Sequence, residues 1–352
     1  MSRQVISLAE AKAPFFIGID VGGTNIKIGL VDDEGQTLVA GSAPTHEEQG
    51  VEEAVRRMAE AAKKVCQSAG VSFDQVAMIG LATPGTMDIP RGMILEPPNL
   101  PHWRNYPIRD KLAEACGRPV AFANDANAAA YGEFWAGSGR VHPSLVMLTL
   151  GTGVGGGIIY DGLSIDGENS HGSECGHIII DHSESARRCP CGGTGHLEAY
   201  ASATALVKRF HEAVAAGKTS SLGTRLAGGE ELTTLMMAKA AESGDALSHE
   251  LILETAYFLG AGITSLIHTI DPGLVVLGGA MNFGGHDSAL GREFIERVRS
   301  EVRRRALPVP GKSTVIDFAQ LGGDAGYIGA AGIARSVFLR KRTTGSAAGK
   351  SG

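Results

Sequence analysis

Phe15-Phe16-Ile17-Gly18-Ile19-Asp20-Val21-Gly22-Gly23-Thr24-Asn25-Ile26-Lys27-Ile28-Gly29-Leu30-Val31 is the stretch that decides the fold. An apolar run ends at Asp20, Val21-Gly22-Gly23-Thr24 turns the chain, and Ile26 to Val31 alternates until Asp32-Asp33-Glu34-Gly35 turns it again. Strands joined by tight Gly-containing turns are expected, a β-meander. The same order returns 128 positions later: Leu145 to Leu150, a Gly151-Thr152 turn, Ile158-Ile159-Tyr160, and an Asp161-Gly162 turn. This internal repeat predicts two related α/β halves, each opening with a hairpin whose tip faces a shared cleft.

Working outward, Val51, Ala54, Val55, Met58, Ala61, Ala62, Val65 and Ala69 recur at helical spacing. Glu52 and Glu53 suit the first turn of that helix and Gly70 its stop. Val76 to Leu81 and Val120 to Ala123 read as strands, separated by an irregular Pro-rich stretch from Pro84 to Pro107. Long loops of that kind inside compact domains are usually functional. A helix over Leu251–Ile270, a strand over Leu274–Leu277, and helices over Arg292–Arg305 and Ala325–Leu339 follow. The expected division is a flexible N-terminus over 1–14, a small α/β domain over 15–123 plus 325–340, and a large α/β domain over 124–324. The tail over 341–352, rich in Lys, Gly, Ser and Ala, has no periodicity and is expected to be disordered.

Length and composition narrow the function. The 352 residues allow two domains, and 43% hydrophobic with 20% charged residues is the balance of a globular protein. A net charge of −6 offers no basic footprint for nucleic acid. No apolar run is read as long enough to span a bilayer, and Arg3, Glu10 and Lys12 interrupt the N-terminus before Pro14, so a cytoplasmic address without membrane partners is expected. Five cysteines are an odd number in a long chain, which favours metal binding or burial over a disulfide framework.

The 49 glycines are clustered. Gly151-Thr152-Gly153-Val154-Gly155-Gly156 spells a dinucleotide fingerprint, but that fingerprint needs a helix directly after the glycines, and a strand is predicted there. Gly217-Lys218-Thr219, Gly311-Lys312-Ser313 and Gly349-Lys350-Ser351 lack the preceding glycine of a P-loop. The first turn, Asp20 to Asn25, reads either as a tight hairpin or as a phosphate cradle in which backbone N–H groups and Thr24 meet phosphate oxygens while Asp20 holds Mg²⁺. A second Gly-Thr tip favours the cradle, because opposed hairpins can grip a triphosphate from both sides.

Asn124-Asp125-Ala126-Asn127 stands where a strand gives way to a helix, the end of an α/β sheet that carries ligands. An isolated Asp125 there would read as a helix N-cap. It also suits a base that orients a hydroxyl and accepts its proton late in phosphoryl transfer. Cys189 and Cys191 with His196 and His177 supply four N/S donors for a structural Zn²⁺, the alternative being buried cysteines beside surface histidines. Glu174 and Glu198 flank this group and are read either as acceptors for hydroxyls or as solvated surface glutamates.

Together, Ile19-Asp20-Val21-Gly22-Gly23-Thr24, Ala82-Thr83-Pro84-Gly85, Asn124 to Asn127, Leu150 to Gly155 and Cys189-Pro190-Cys191-Gly192 resemble, in order, the ROK family of sugar kinases and repressors. The resemblance spans about residues 15–338. It implies a two-domain actin/hexokinase-type (ribonuclease H-like) α/β fold, ATP and a hexose in the cleft between domains, and a homodimer. It implies Asp125 as catalytic base, with Gly85, Asn99, Asn124, Asp125, Glu174, His177 and Glu198 as sugar contacts. The nucleotide and Mg²⁺ contacts it implies are Asp20, Gly22, Gly23, Thr24, Asn25, Lys27, Thr152, Gly153, Gly155 and Gly279. His177, Cys189 and Cys191 match the family's zinc ligands, whereas His196 stands where the family usually has Cys. Imidazole is an ordinary zinc ligand, so a Cys₂His₂ set remains a good site. Glucose is the expected substrate, with N-acetylmannosamine, fructose and allose kinases sharing most of these residues, and the sequence leaves ATP and polyphosphate both open as donors. Repressors of the family carry an N-terminal helix-turn-helix module. The fifteen to twenty residues before the first strand are too few for one, so the enzyme reading prevails.

Overall fold

The computed structural model describes residues 5–97 and 99–348, so Pro98 and the Gly349-Lys350-Ser351 motif lie outside the described residues. The strands are β1 Phe15–Val21, β2 Asn25–Val31, β3 Thr37–Pro44, β4 Val76–Thr83, β5 Met87–Asp88, β6 Met93–Ile94, β7 Val120–Asn124, β8 Ser144–Leu150, β9 Val154–Tyr160, β10 Leu163–Ser164, β11 Leu274–Gly279 and β12 Val315–Phe318. The helices are α1 Val51–Ala69, α2 Ile108–Cys116, α3 Asp125–Ala136, α4 Glu198–Ala201, α5 Ala203–Ala215, α6 Gly223–Ala227, α7 Thr234–Glu242, α8 Ala246–Ile270, α9 Ala289–Arg305, α10 Pro310–Ser313 and α11 Ala325–Ala348. Two compact units divide the chain: Met1–Pro143 with Gly157–Ser173 and Gln320–Gly352, and Ser144–Gly156 with Glu174–Ala319.

The first unit is built on a sheet of order β3-β2-β1-β4-β7, antiparallel through the meander and parallel from β1 to β7. Side chains alternate across β1 as the period of a strand requires. Phe15, Ile17 and Ile19 join the buried stripe of α1, whereas Phe16 faces Tyr327 and Ile328 of α11. Gly18 and Gly80 are neighbours in register, and a side chain at either would strike the α11 backbone at Tyr327 or Ala330, so α11 lies directly on the sheet. The predicted α1 ends at Gly70, whose φ of 70° places it in the left-handed C-cap conformation while its N–H returns to Cys66.

Several expectations are corrected. Residues 5–14 are tied down rather than loose: the Ile6 N–H donates to Thr37 O at 3.0 Å and the Lys12 N–H to Asp32 Oδ2 at 3.0 Å. The C-terminal helix passes Arg340 and runs to Ala348. Helix α3, expected to open the second domain, belongs to the first unit because Gly132 and Gly329 let α3 and α11 touch backbone to backbone, and residues 157–173 join it through Gly157 against Ala126 and Ala130 and through Asp166 bonded to Asn127. The Pro-rich stretch contains the small β5–β6 hairpin and is anchored in the unit's core by Leu100 and Trp103, both fully buried.

The second sheet has the order β10-β9-β8-β11-β12, the same five-strand order as the first. The boundary between units runs through β9, from which Gly157 onward counts with the first. Strands β8, β11 and β12 run parallel in the second unit. Helix α8 begins at Ala246, capped by Asp245 accepting from the Ser248 N–H at 2.8 Å, five residues before its expected start. It is also long and apolar enough to cross a membrane, contrary to expectation. Most of it is buried, and α8 packs against α5, α7 and α9 within its own unit. Two sheets of matching order, layered with helices, give the actin/hexokinase-type α/β fold.

Candidate active site

In the first unit the carboxyl ends of β1, β4 and β7 lie side by side, with Asp20 opposite Ala82 and Thr83 opposite Asn124. Strand spacing puts β1 and β7 roughly 10 Å apart. Asp20 precedes the Gly22-Gly23-Thr24-Asn25 turn, which the Gly22 N–H closes onto Asn25 O at 3.0 Å. Thr45 holds the turn from beneath, its hydroxyl donating to Gly22 O at 2.7 Å. Burial pushes the Asp20 carboxyl up to about 6, against the opposing pull of Lys27. Lys27 donates to the carbonyl of Gly323, just ahead of α11. A side chain at Gly326 would collide with the Asp20 carboxylate, so the start of α11 is moulded to that acid.

At the end of β7 the cap is Asn124, not Asp125. Asn124 Oδ1 accepts from the Ala126 N–H at 2.8 Å and the Asn127 N–H at 3.3 Å. Asp125 is then the first residue of α3, half-buried, and its Oδ1 also accepts from the Ala126 N–H at 2.8 Å. Asn127 turns inward, nearly fully buried, and donates to Asp166 at 3.0 Å. Sequence reading does not single out Asp166, which has no motif around it. Gly85, with φ of 86°, turns β4 into the Pro-rich segment, and Asn99 sits exposed beside the anchor residue Leu100.

In the second unit the Gly151-Thr152-Gly153 turn links β8 directly to strand β9, which removes the dinucleotide-fingerprint reading. Helix α5 grips this turn: the Ala203 N–H donates to Gly151 O at 2.9 Å and the Thr204 hydroxyl to Thr152 O at 2.8 Å. Gly155 follows on β9, and Gly279, with φ of 90°, lies opposite Leu150 where a side chain would strike that strand's backbone. Beyond Gly279 a cavity of about 380 Å³ opens, lined by Thr234, Leu235, Lys239, Asn282, Phe283 and neighbouring residues. These residues were missed by sequence reading; the only signal was the Gly278-Gly279 pair ahead of them.

His177, Cys189, Cys191 and His196 converge, with one ligand atom from each lying within 4.8 Å of all the others. His177 Nδ1 is 3.7 Å from Cys189 Sγ, and His196 Nδ1 is 3.2 Å from Cys191 Sγ. The loop is built for this approach, since a side chain at Gly193 would meet the His196 ring. Burial pushes the Cys189 thiol up to about 12. Two thiols and two imidazoles, gathered from a hairpin and a preceding turn, fit a tetrahedral zinc ion. The other ring nitrogen of His177 faces Glu174 Oε2 at 3.9 Å. Glu198 opens α4, its Oε2 accepting from the Val154 N–H at 2.9 Å and its Oε1 from Cys189 Sγ at 3.5 Å.

The chain is 34% identical to a glucokinase of Halalkalibacterium halodurans over 315 residues, covering 90% of this chain and 93% of the relative. A ROK family glucokinase from Streptomyces griseus, crystallised in complex with glucose and AMPPNP, superposes with a TM-score of 0.72 at 33% identity, covering 92% of this chain and 99% of that one. A xylose repressor of Caldicellulosiruptor bescii is 28% identical, the match covering 87% of this chain and 74% of the repressor. The ROK family profile matches residues 16–337, nearly the whole chain, and on that ground the protein belongs to the ROK family.

Proposed function

We propose that this protein is a cytoplasmic, ATP-dependent glucokinase that converts glucose to glucose 6-phosphate. The observation that carries the reading is the edge of the first sheet, where a buried acid beside a Gly-Gly-Thr turn and an acid behind an Asn cap stand two strands apart. That separation suits a metal-bound triphosphate on one side and a hydroxyl on the other. The higher identity to glucokinases, over more of their length, supports the kinase over the repressor.

In this reading Asp20 would hold Mg²⁺, and Gly22–Asn25 and Thr152–Gly155 are phosphate-binding turns, each within its own unit, with Lys27 beside the first and Gly279 beside the second. The cavity beyond Gly279 takes the adenosine, as its size and mixed apolar and polar lining allow. Gly85, Asn99, Asn124, Glu174, His177 and Glu198 meet the sugar. Asp125 accepts the proton of the glucose 6-hydroxyl as the new O–P bond forms, the bond from the γ-phosphorus to the bridging oxygen breaks, and ADP departs. His177, Cys189, Cys191 and His196 would hold zinc, which would supply a rigid crosslink to their loop. If the His177 nitrogen beside Cys189 held the metal, the nitrogen facing Glu174 would carry the proton, and His177 would be held as an N–H donor among the sugar contacts. A homodimer is inferred from family resemblance alone and is checked by light scattering.

The decisive experiment is ADP release measured over glucose, N-acetylmannosamine, fructose and allose, with ATP and polyphosphate as donors. Glucose with ATP should give the highest kcat/KM. A higher value for any other sugar or for polyphosphate would replace that part of the reading.

A further inference from the structure

Glu198 is bonded in two directions at once. Its Oε2 accepts from the Val154 N–H at 2.9 Å, the residue that closes the Gly151–Gly153 turn, and its Oε1 accepts from the thiol of Cys189 at 3.5 Å. A side chain at Gly153 would run into the same carboxylate, so turn and acid are fitted to each other. The turn is held on its carbonyl side by Ala203 and Thr204, whereas Glu198 is the carboxylate that holds its N–H side. Glu198 follows His196 by two residues, so the metal cluster flanks it through the chain at His196 and through space at Cys189.

We propose that Glu198 is a positioning residue for the Gly151–Gly155 turn, and that filling the Cys/His cluster with zinc strengthens nucleotide binding through it, independently of sugar. This rests on the reading of the turn as a nucleotide site. Zinc ligation would take the Cys189 sulfur as thiolate, ending the thiol's bond to Glu198, and would fix His196 and the start of α4, leaving the carboxylate to the Val154 N–H. Without the metal the four side chains are joined by weak S···N contacts and Glu198 is shared between the Cys189 thiol and the Val154 N–H, a weaker hold on the turn. An acid serving only as a sugar contact would leave nucleotide affinity untouched in the absence of sugar.

The test is calorimetric titration of MgAMPPNP into the full chain without glucose, zinc-loaded and chelated, for wild type, Glu198→Ala and Glu198→Gln. Loss of a hydrogen bond to a charged group weakens binding by about tenfold or more, so Glu198→Ala should raise Kd by about tenfold. Chelation should raise the wild-type Kd severalfold and leave that of Glu198→Ala unchanged, since the link is already cut. Glu198→Gln keeps an acceptor for the Val154 N–H and the side-chain volume, so its Kd should stay within about threefold of wild type. It serves as the folded control should the Ala variant prove unstable, and its own response to chelation should then match the wild type. A wild-type Kd in Glu198→Ala, or equal sensitivity of that variant and the wild type to chelation, overturns the proposal. Absence of AMPPNP binding to zinc-loaded wild type would instead overturn the nucleotide reading beneath it.

Discussion

Replacing Asp125 by Asn isolates proton acceptance from everything else this residue does. Asp125 opens α3, and its Oδ1 accepts from the Ala126 N–H at 2.8 Å, a bond that the amide oxygen of Asn can also accept. The cap of the helix is carried by Asn124 and is not touched. What the fold loses is one negative charge at a helix N-terminus, about 0.3–1 kcal/mol. What the reaction loses is the acceptor for the hydroxyl proton, at least about a hundredfold in kcat, or about 2.7 kcal/mol of barrier. The kinetic loss should therefore be more than twice the loss in stability, and glucose affinity should change little. Coupled ADP-release kinetics, urea unfolding and glucose calorimetry on both proteins measure the three quantities. A folded Asp125→Asn variant turning over within about tenfold of wild type would refute the assignment of Asp125 as base.

Gly23→Val should raise the KM for ATP while leaving thermal stability unchanged: a β-carbon at Gly23 meets nothing within 4 Å, and its φ is not left-handed, so only a phosphate would contest the space. Asp20 makes a pH-dependent contribution that Asp20→Asn exposes. Its folded pKa of about 6 lies above the ordinary 3.8, so it stabilises the fold fully below pH 4 and that contribution is lost as pH rises through 6. Without Mg²⁺ the Asn variant should gain about 1–2 kcal/mol on wild type between pH 4 and pH 7 in urea unfolding, and a pH-independent difference would contradict this. His196→Cys should keep zinc and His196→Ala should lose most of it by elemental analysis, with glucose KM rising roughly ten- to a hundredfold in the latter while far-UV circular dichroism holds; full activity in a zinc-free preparation would remove the metal and the role given to His177.

The sequence by itself determined what depends on short-range pattern. Two Gly-Thr hairpins 128 residues apart announced two sheets, because alternation and turn chemistry act over a few residues, and both sheets have the same strand order. Helix α1 and its Gly70 stop were legible for the same reason. So were Asp125 at a strand-to-helix junction and the four metal-type side chains, since each lies inside a local motif. Tertiary structure decided the rest. Asn124 rather than Asp125 caps α3 because the cap depends on which side chain reaches back to the free N–H groups, and both residue types are able to do so. The elevated pKa of Asp20 comes from burial beneath α11, more than 300 residues away in sequence. The cavity lined by α7 and the segment after β11 joins residues about 45 positions apart that share no motif. The double grip of Glu198 on Val154 and Cys189 exists only where two loops are packed against one carboxylate, a matter of distance that no spacing along the chain encodes.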